Sequence, residues 1–482
     1  MPLPKRARDA IGVLLLTLGA VALHGYHYGV EDQFVYLPAI QAQLDPSLFP
    51  HDAQIFLLQT RLGLFDEIVA GTARLSGLPL DWLVFVWHGL TLYLLLLGCL
   101  AVAQRCFTDR RAQWAGVALV AVLLLLTSAG TLLYIADPYL HPRTPATAAL
   151  LFALAAVLDC RARALVWIVL AGVFHPTMAL CGAFHLAFQA WKMPRLASAA
   201  ALLPLPMWLE AAHNDAWREV LQTRWFLFPL RWPWYAWLGV VVPLALLSWY
   251  AKAARRNGQR MLQHVSQRLA YSSAAGVVIG VLVSEMPGLE RIVPVEPMRV
   301  LHLMTLLTVL LGGGLLAQHV LQRRPVRWAV AFLPLIGVIL YAQFQLYPAS
   351  PHIEWPGRVA RNSWVQAFAW VRSNTPKNAL FALDPRHMER PGEDLHSFRA
   401  LAERSMLADY TKDRGIAATW PELANAWREQ VRARDKWKEF QLEDFRRLKK
   451  QYGVTWAILE RPGVAGLECP YVNQAVLVCR VD

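Results

Sequence analysis

Two adjacent carboxylates, Glu31 and Asp32, stand directly after the first apolar run, in the stretch Gly29-Val30-Glu31-Asp32-Gln33-Phe34. An acid beside hydrocarbon is costly to keep, so a pair placed there points to chemistry or binding more than to packing. Other groups suited to the same work are Asp52, the stretch Asp137-Pro138-Tyr139-Leu140-His141-Pro142-Arg143, and His175 in Phe174-His175-Pro176-Thr177. Glu296, Arg299 and His302 form a further group, and Arg224 and Arg231 lie among the aromatics of 225–232. A carboxylate can take the proton of an attacking hydroxyl. Arginines or a metal can stabilise the charge on a departing phosphate.

Each of these residues has a competing structural role. Asp32 could cap a helix starting near Phe34, and Asp137 could be a turn residue before Pro138. His175, without a spaced partner, could be a satisfied core histidine. Arg299 could snorkel to an interface. The stretch 398–404, with Asp409, Lys412 and Asp413, reads as a solvated helix with surface ion pairs. Trp225, Trp232, Trp234 and Trp237 read as an interfacial belt.

The elements that must position these groups are membrane spans. Of the 482 residues, 56% are hydrophobic and 17% charged, against about a quarter charged in a soluble chain. Apolar runs of about 20 residues recur through roughly the first 345 positions. The net charge of +13 lies mostly in short loops between runs, where it orients spans and does not imply nucleic-acid binding. Spans are expected at about 10–27, 80–104, 113–136, 144–159, 196–212, 235–251, 270–285, 298–318 and 327–346. Within the long segment 28–79, residues 55–70 are amphipathic enough to lie along the interface.

The stretch 164–190 decides the topology. As a single span it would place Lys192, Arg195 and the basic loop of Lys252, Arg255, Arg256, Arg260 and Arg268 outside, against the positive-inside tendency. As a short hairpin turning at 174–177 it places them inside, and such a broken element suits a polar cavity. All the candidate groups then converge on the outer face. The expected architecture is a polytopic α-helical membrane protein of about nine full spans plus the hairpin, with a small C-terminal α/β extracytoplasmic domain. Its domains would be 1–348, carrying the outer loop 28–79, and 349–482.

In the tail a helix is expected over 364–371, strands at about 379–383, 455–459 and 475–481, and a charged helical stretch at 421–452. Cys469 and Cys479 flank the last turn and strand, and an oxidising outer compartment would let them pair. The alternative is two buried thiols.

An outer loop opening on an acidic pair after the first span, many spans, short re-entrant elements and a soluble outer tail together resemble the GT-C superfamily of integral-membrane glycosyltransferases. The segments Glu31-Asp32-Gln33, Asp137-Pro138-Tyr139-Leu140-His141-Pro142-Arg143 and Trp370-Val371-Arg372-Ser373-Asn374-Thr375-Pro376 resemble those of a bacterial branch of such proteins. The resemblance implies inverting transfer of a sugar from a polyprenyl-phosphate-linked donor to a glycan, lipid or protein acceptor on the outer face. Asp32 is the first choice of base and Glu31 the second. Arg299, with Arg143 or Arg224, would meet the donor phosphate. Asp137, His141, His175, Glu296 and His302 would help bind donor or acceptor. A divalent metal, Mg2+ or Mn2+, would draw on Asp32 and Asp137. The chain would sit in a bacterial inner membrane, N-terminus cytoplasmic and tail periplasmic. The rivals are a transporter or flippase of a lipid-linked glycan, which calls for inverted repeats or a polar path through both faces, and a non-catalytic assembly protein whose tail binds a partner.

Overall fold

The computed structural model describes residues 4–190 and 214–482, so the expected span over 196–212 lies outside the described residues. The chain divides into two compact units. One comprises Met1–Gly25, Val86–Leu209 and Trp225–Gln343, and the other Tyr26–Phe85, Glu210–Arg224 and Phe344–Asp482. The stretch 28–79, read above as an outer loop, thus belongs to the same unit as the tail.

The first unit is helical. Its helices are α1 (Lys5–His24), α2 (Leu80–Cys106, which begins in the second unit), α3 (Arg110–Val122), α4 (Arg143–Leu158), α5 (Ala164–Phe174), α6 (Pro176–Gln189), α7 (Leu238–Arg256), α8 (Arg260–Glu285), α9 (Val300–Leu316) and α10 (Pro325–Leu346). Among the described residues, six helical stretches are long and apolar enough to cross a bilayer: Lys5–His24, Leu80–Cys106, Trp234–Arg256, Arg260–Glu285, Glu290–Leu321 and Pro325–Leu346. They make this a membrane protein. α4 and α5 are shorter apolar helices, and nearly every side chain of α4 is buried. α3 and α9 approach closely at glycines, since a Cβ on Gly313 would lie 2.9 Å from the Gly116 Cα.

One feature of this unit follows directly from sequence. α5 ends at Phe174 because His175 is extended (φ −156°, ψ 94°) and Pro176 opens α6 at its first position. Proline has no N–H to continue a ladder and disfavours helix in the residue before it. The span expected over 113–136 is different: its helix stops at Val122. The chain beyond is irregular up to Pro142, with a 3-10 turn at Ala129–Thr131 and an isolated bridge between Thr127 and Tyr134. Hydroxyl groups compete with the helix ladder there: Thr131 Oγ1 donates to the Ser128 carbonyl at 2.6 Å.

The second unit is built on a five-stranded mixed sheet in the order β2-β1-β3-β5-β4. Its strands are β1 (Leu380–Ala382), β2 (Ser405–Met406), β3 (Trp456–Glu460), β4 (Tyr471–Val472) and β5 (Val476–Arg480). β1 pairs in parallel with β2 and β3, whereas β5 is antiparallel to β3 and β4. Phe34, Phe49 and Phe56 share one core with Phe368, Phe381, Phe398 and Trp456, which is how the early segment joins the tail. The expected interfacial helix over 55–70 is instead two helices, Ala53–Thr60 and Phe65–Ser76, each with buried apolar side chains. The charged stretch 421–452 likewise divides, into Ala424–Arg432 and Leu442–Tyr452, with Lys436 in the left-handed region between them (φ 59°). Cys469 and Cys479 form a disulfide.

Candidate functional site

Seven of the expected site residues lie in the first unit, all at helix ends or in the stretches joining them. Asp137 closes the irregular segment before α4, and Arg143 is the first residue of α4. Arg143 Nη2 donates to both carboxylate oxygens of Asp137, at 2.8 and 2.7 Å, and both side chains are buried. Asp137 is therefore an ion-pair partner and more than a turn former. His141 Nδ1 accepts the Arg143 backbone N–H at 3.0 Å, which orients its ring. That ring lies 6.1 Å from His175, inclined by 25°.

His175 sits at the break between α5 and α6, half-buried, with Thr177 Oγ1 3.1 Å from Nδ1 and Arg299 Nη1 3.4 Å from Nε2. Arg299, just before α9, pairs with Glu296 at 2.6 Å. Glu296 is held in the left-handed region (φ 58°), where the preceding 3-10 turn ends. His302 has a structural part: its Nε2 lies 3.1 and 3.2 Å from the Tyr134 and Ile135 carbonyls, which fixes the irregular segment to the first turn of α9. Close approaches thus link Asp137, Arg143, His141, His175, Arg299 and Glu296, the widest step being the 6.1 Å between the two imidazole centroids. Thr131, Phe226, Leu227 and the residues from Glu296 to Arg299 line a small open recess. Two guanidinium groups, each neutralised by its own carboxylate, flank imidazoles here. Such a group suits an anionic ligand once a pair is opened.

The acidic pair lies in the second unit. Gly29 turns with φ 75°, where a Cβ would strike Leu401. The next residues run beside 395–397: Ser397 N donates to the Gly29 carbonyl at 2.7 Å and Glu31 N to the Leu395 carbonyl at 2.9 Å. Glu31 is itself in the left-handed region (φ 51°). Asp32 precedes the helix Gln33–Leu44 but makes no side-chain cap. Lys412 holds the pair instead, its Nζ 2.5 Å from Glu31 Oε2 and 3.0 Å from Asp32 Oδ1. Burial works to lower the Lys412 ammonium, but Asp32 and Glu31 outweigh it and hold it above the usual lysine range. Arg224 lies near Gly415, in the same unit as the acidic pair.

Behind Lys412 is a buried ionic network where a solvated helix was expected. Arg399 is fully buried, pairs with Asp52 at 2.5 Å and Asp413 at 2.9 Å, and lies over the Phe34 ring. Asp413 Oδ2 accepts the Asp409 N–H at 2.7 Å, and Asp409 Oδ1 accepts the Lys412 N–H at 2.5 Å. Burial, then the Asp413 charge, pushes the Asp409 carboxyl above the usual carboxylate range. Burial also raises Asp413, against the pull of Arg399. The belt of tryptophans is divided too: Trp234 is exposed, whereas Trp232 is buried and donates to the Phe226 carbonyl at 2.9 Å.

Asp32 and Asp137 fit a Mg2+ or Mn2+ ion poorly, since Arg143 holds both oxygens of Asp137 and Lys412 holds Asp32. Among the described residues one group offers three ligand atoms in mutual reach: Glu354, Asp394 and His396.

Fold and side chains define a mostly helical membrane protein with an α/β sheet unit and polar clusters at its helix ends. Residues 362–432 match a domain of unknown function, DUF6798. No curated protein matches the chain. Among solved structures it is similar to the Archaeoglobus fulgidus oligosaccharyltransferase tethered to an acceptor peptide containing the NVT sequon (12% identity, TM-score 0.48, 95% of this chain and 69% of that one). It is also similar to the apo form of that enzyme (12%, 0.47, 95% and 69%). A third is AglB from Archaeoglobus fulgidus with an inhibitory peptide and a dolichol-phosphate (12%, 0.46, 95% and 70%). Likeness at this level leaves the chemistry to be drawn from the chain's own residues.

Proposed function

We propose that the chain is a membrane glycosyltransferase of GT-C type, taking a sugar from a polyprenyl-phosphate-linked donor. The observation that carries this reading is the cluster of neighbouring polar groups from Asp137 to Glu296, gathered from three separate helix junctions beside an open recess. Guanidiniums and imidazoles drawn from three junctions supply charge-assisted donors that an anionic ligand can engage once an ion pair opens.

In the proposed reaction an acceptor hydroxyl attacks the anomeric carbon from the face opposite the phosphate. The C–O bond to the carrier breaks, the polyprenyl phosphate leaves with the electron pair, and a carboxylate takes the hydroxyl proton. Asp32, the more exposed of the pair held by Lys412, is assigned the proton and Glu31 the support of Lys412. Arg299 and Arg143 are assigned to the phosphate, whose developing charge they would stabilise. The proposed orientation puts the N-terminus in the cytoplasm and the sheet unit in the periplasm of a bacterial inner membrane.

The test uses the full chain in proteoliposomes supplied with labelled lipid-linked sugars from its own membrane. Arg299→Ala should abolish release of polyprenyl phosphate while the folded protein is retained. Undiminished release by that variant would remove Arg299 from the reaction.

A further inference from the structure

Three chain stretches meet in the second unit around Glu354, Asp394 and His396. Tyr26 bridges Ile353 and Val30 bridges His396 through the backbone. The three side chains each offer one ligand atom, all within 4.8 Å of one another. Glu354 Oε1 lies 3.1 Å from His396 Nε2 and 3.3 Å from His27 Nδ1, while Oε2 accepts the Tyr28 N–H at 3.1 Å. Asp394 Oδ1 accepts the Ala349 N–H at 3.2 Å.

What remains unsatisfied points to a ligand. Asp394 and His396 are 5% and 3% exposed, yet Asp394 Oδ2 and His396 Nδ1 have no hydrogen-bond partner. Buried polar atoms are ordinarily paired. Changing the protons of the imidazole alone does not cure both. With a proton on Nε2 alone, directed at Glu354, Nδ1 and Oδ2 are two acceptors without a donor. With both ring nitrogens protonated, Nδ1–H gains no acceptor and Oδ2 still lacks a donor. A divalent cation is the species that answers the buried Asp394 carboxylate together with the half-buried Glu354 and the imidazole of His396. Mixed nitrogen and oxygen donors are those of Zn2+, which binds imidazole nitrogen and carboxylate oxygen at about 2.0–2.2 Å.

We propose that Glu354, Asp394 and His396 form a Zn2+ site, with His27 beside Glu354 as the nearest further donor. The ion would tie residues 26–30 and 349–354 to the loop 394–397, a role independent of the transfer reaction. Metal content of the full chain, purified in detergent without chelator, tests this directly. About one equivalent of Zn2+ per chain is expected, removed by chelator and restored by titration with Zn2+ alone, with a rise in unfolding temperature. Asp394→Asn, nearly isosteric, should weaken Zn2+ binding at least about tenfold, as should His396→Gln. An intact Cys469–Cys479 bridge and an unchanged gel-filtration profile verify the fold of each variant. Absence of bound metal together with no Zn2+ uptake by the wild-type chain overturns the proposal, whatever the variants do. Equal Zn2+ uptake by wild type and both folded variants also overturns it, and preference for Mn2+ over Zn2+ overturns the assignment of the metal.

Discussion

Arg143 Nη2 donates to both oxygens of Asp137, at 2.8 and 2.7 Å, with the two residues 4% and 3% exposed. A buried pair of this kind need not stabilise the fold more than apolar residues would, but breaking it strands a charge. Asp137→Ala should therefore cost about 3–5 kcal/mol in detergent-phase unfolding. The double variant Asp137→Leu with Arg143→Met should recover most of that. A single-variant loss no larger than that of an exposed pair would show that Arg143 has another counter-charge.

Lys412 reaches Glu31 and Asp32 from the loop before the short helix Asp413–Thr419. As a positioning residue it acts through the two carboxylates. Lys412→Met should lower transfer about tenfold or more, with folded protein retained, and Lys412→Arg should restore much of it. Equal activity in Lys412→Met and Lys412→Arg would mean that the charge of residue 412 has no part in the reaction.

Asp409 supplies a pH dependence. Burial and the neighbouring Asp413 raise its carboxyl in the folded chain. The folded state then holds a proton that the unfolded state has released. The resulting stability is fully present below the ordinary carboxylate range, near pH 4, and is lost as pH rises through the elevated value. Asp409→Asn mimics the protonated form, so its stability relative to wild type should improve as pH rises from about 4 towards neutrality. Chemical denaturation of both proteins across that window measures it, and a constant difference would exclude Asp409 as the titrating group.

Topology can be read from native cysteines. Cys160 is exposed, while Cys99, Cys106 and Cys181 are buried. The proposed orientation places Cys160 with Arg161 and Arg163 on the inner side. An impermeant thiol reagent added to intact cells should leave Cys160 unlabelled and should label a cysteine introduced at the exposed position Glu443. Labelling in the opposite sense would reverse the orientation.

Much of this arrangement is legible in the sequence because it rests on local rules. The break at His175-Pro176 follows from proline chemistry, and the strands near 380, 457 and 478 from short apolar runs. The helical stop at Val122 is harder to see, since Leu123–Leu126 continues the apolar run and only the hydroxyl-rich turn beyond it signals the change. Least legible is the network of Arg399, Asp409, Lys412 and Asp413. Charged residues at helical spacing look like a wet surface, and only the pairing of 29–31 with 395–397, far apart in sequence, reveals that they are covered. Glu354, Asp394 and His396 are illegible in the sequence for the same reason: no regular spacing links them.

The most direct trial of the proposed reaction is sugar transfer by the reconstituted full chain carrying Asp32→Asn, with labelled lipid-linked sugars from its own membrane as donor. The exchange removes a negative charge and little else. Transfer should vanish in a variant that remains folded and membrane-inserted, while the wild-type chain releases polyprenyl phosphate. Full transfer by the folded variant would contradict a carboxylate at position 32 as the base.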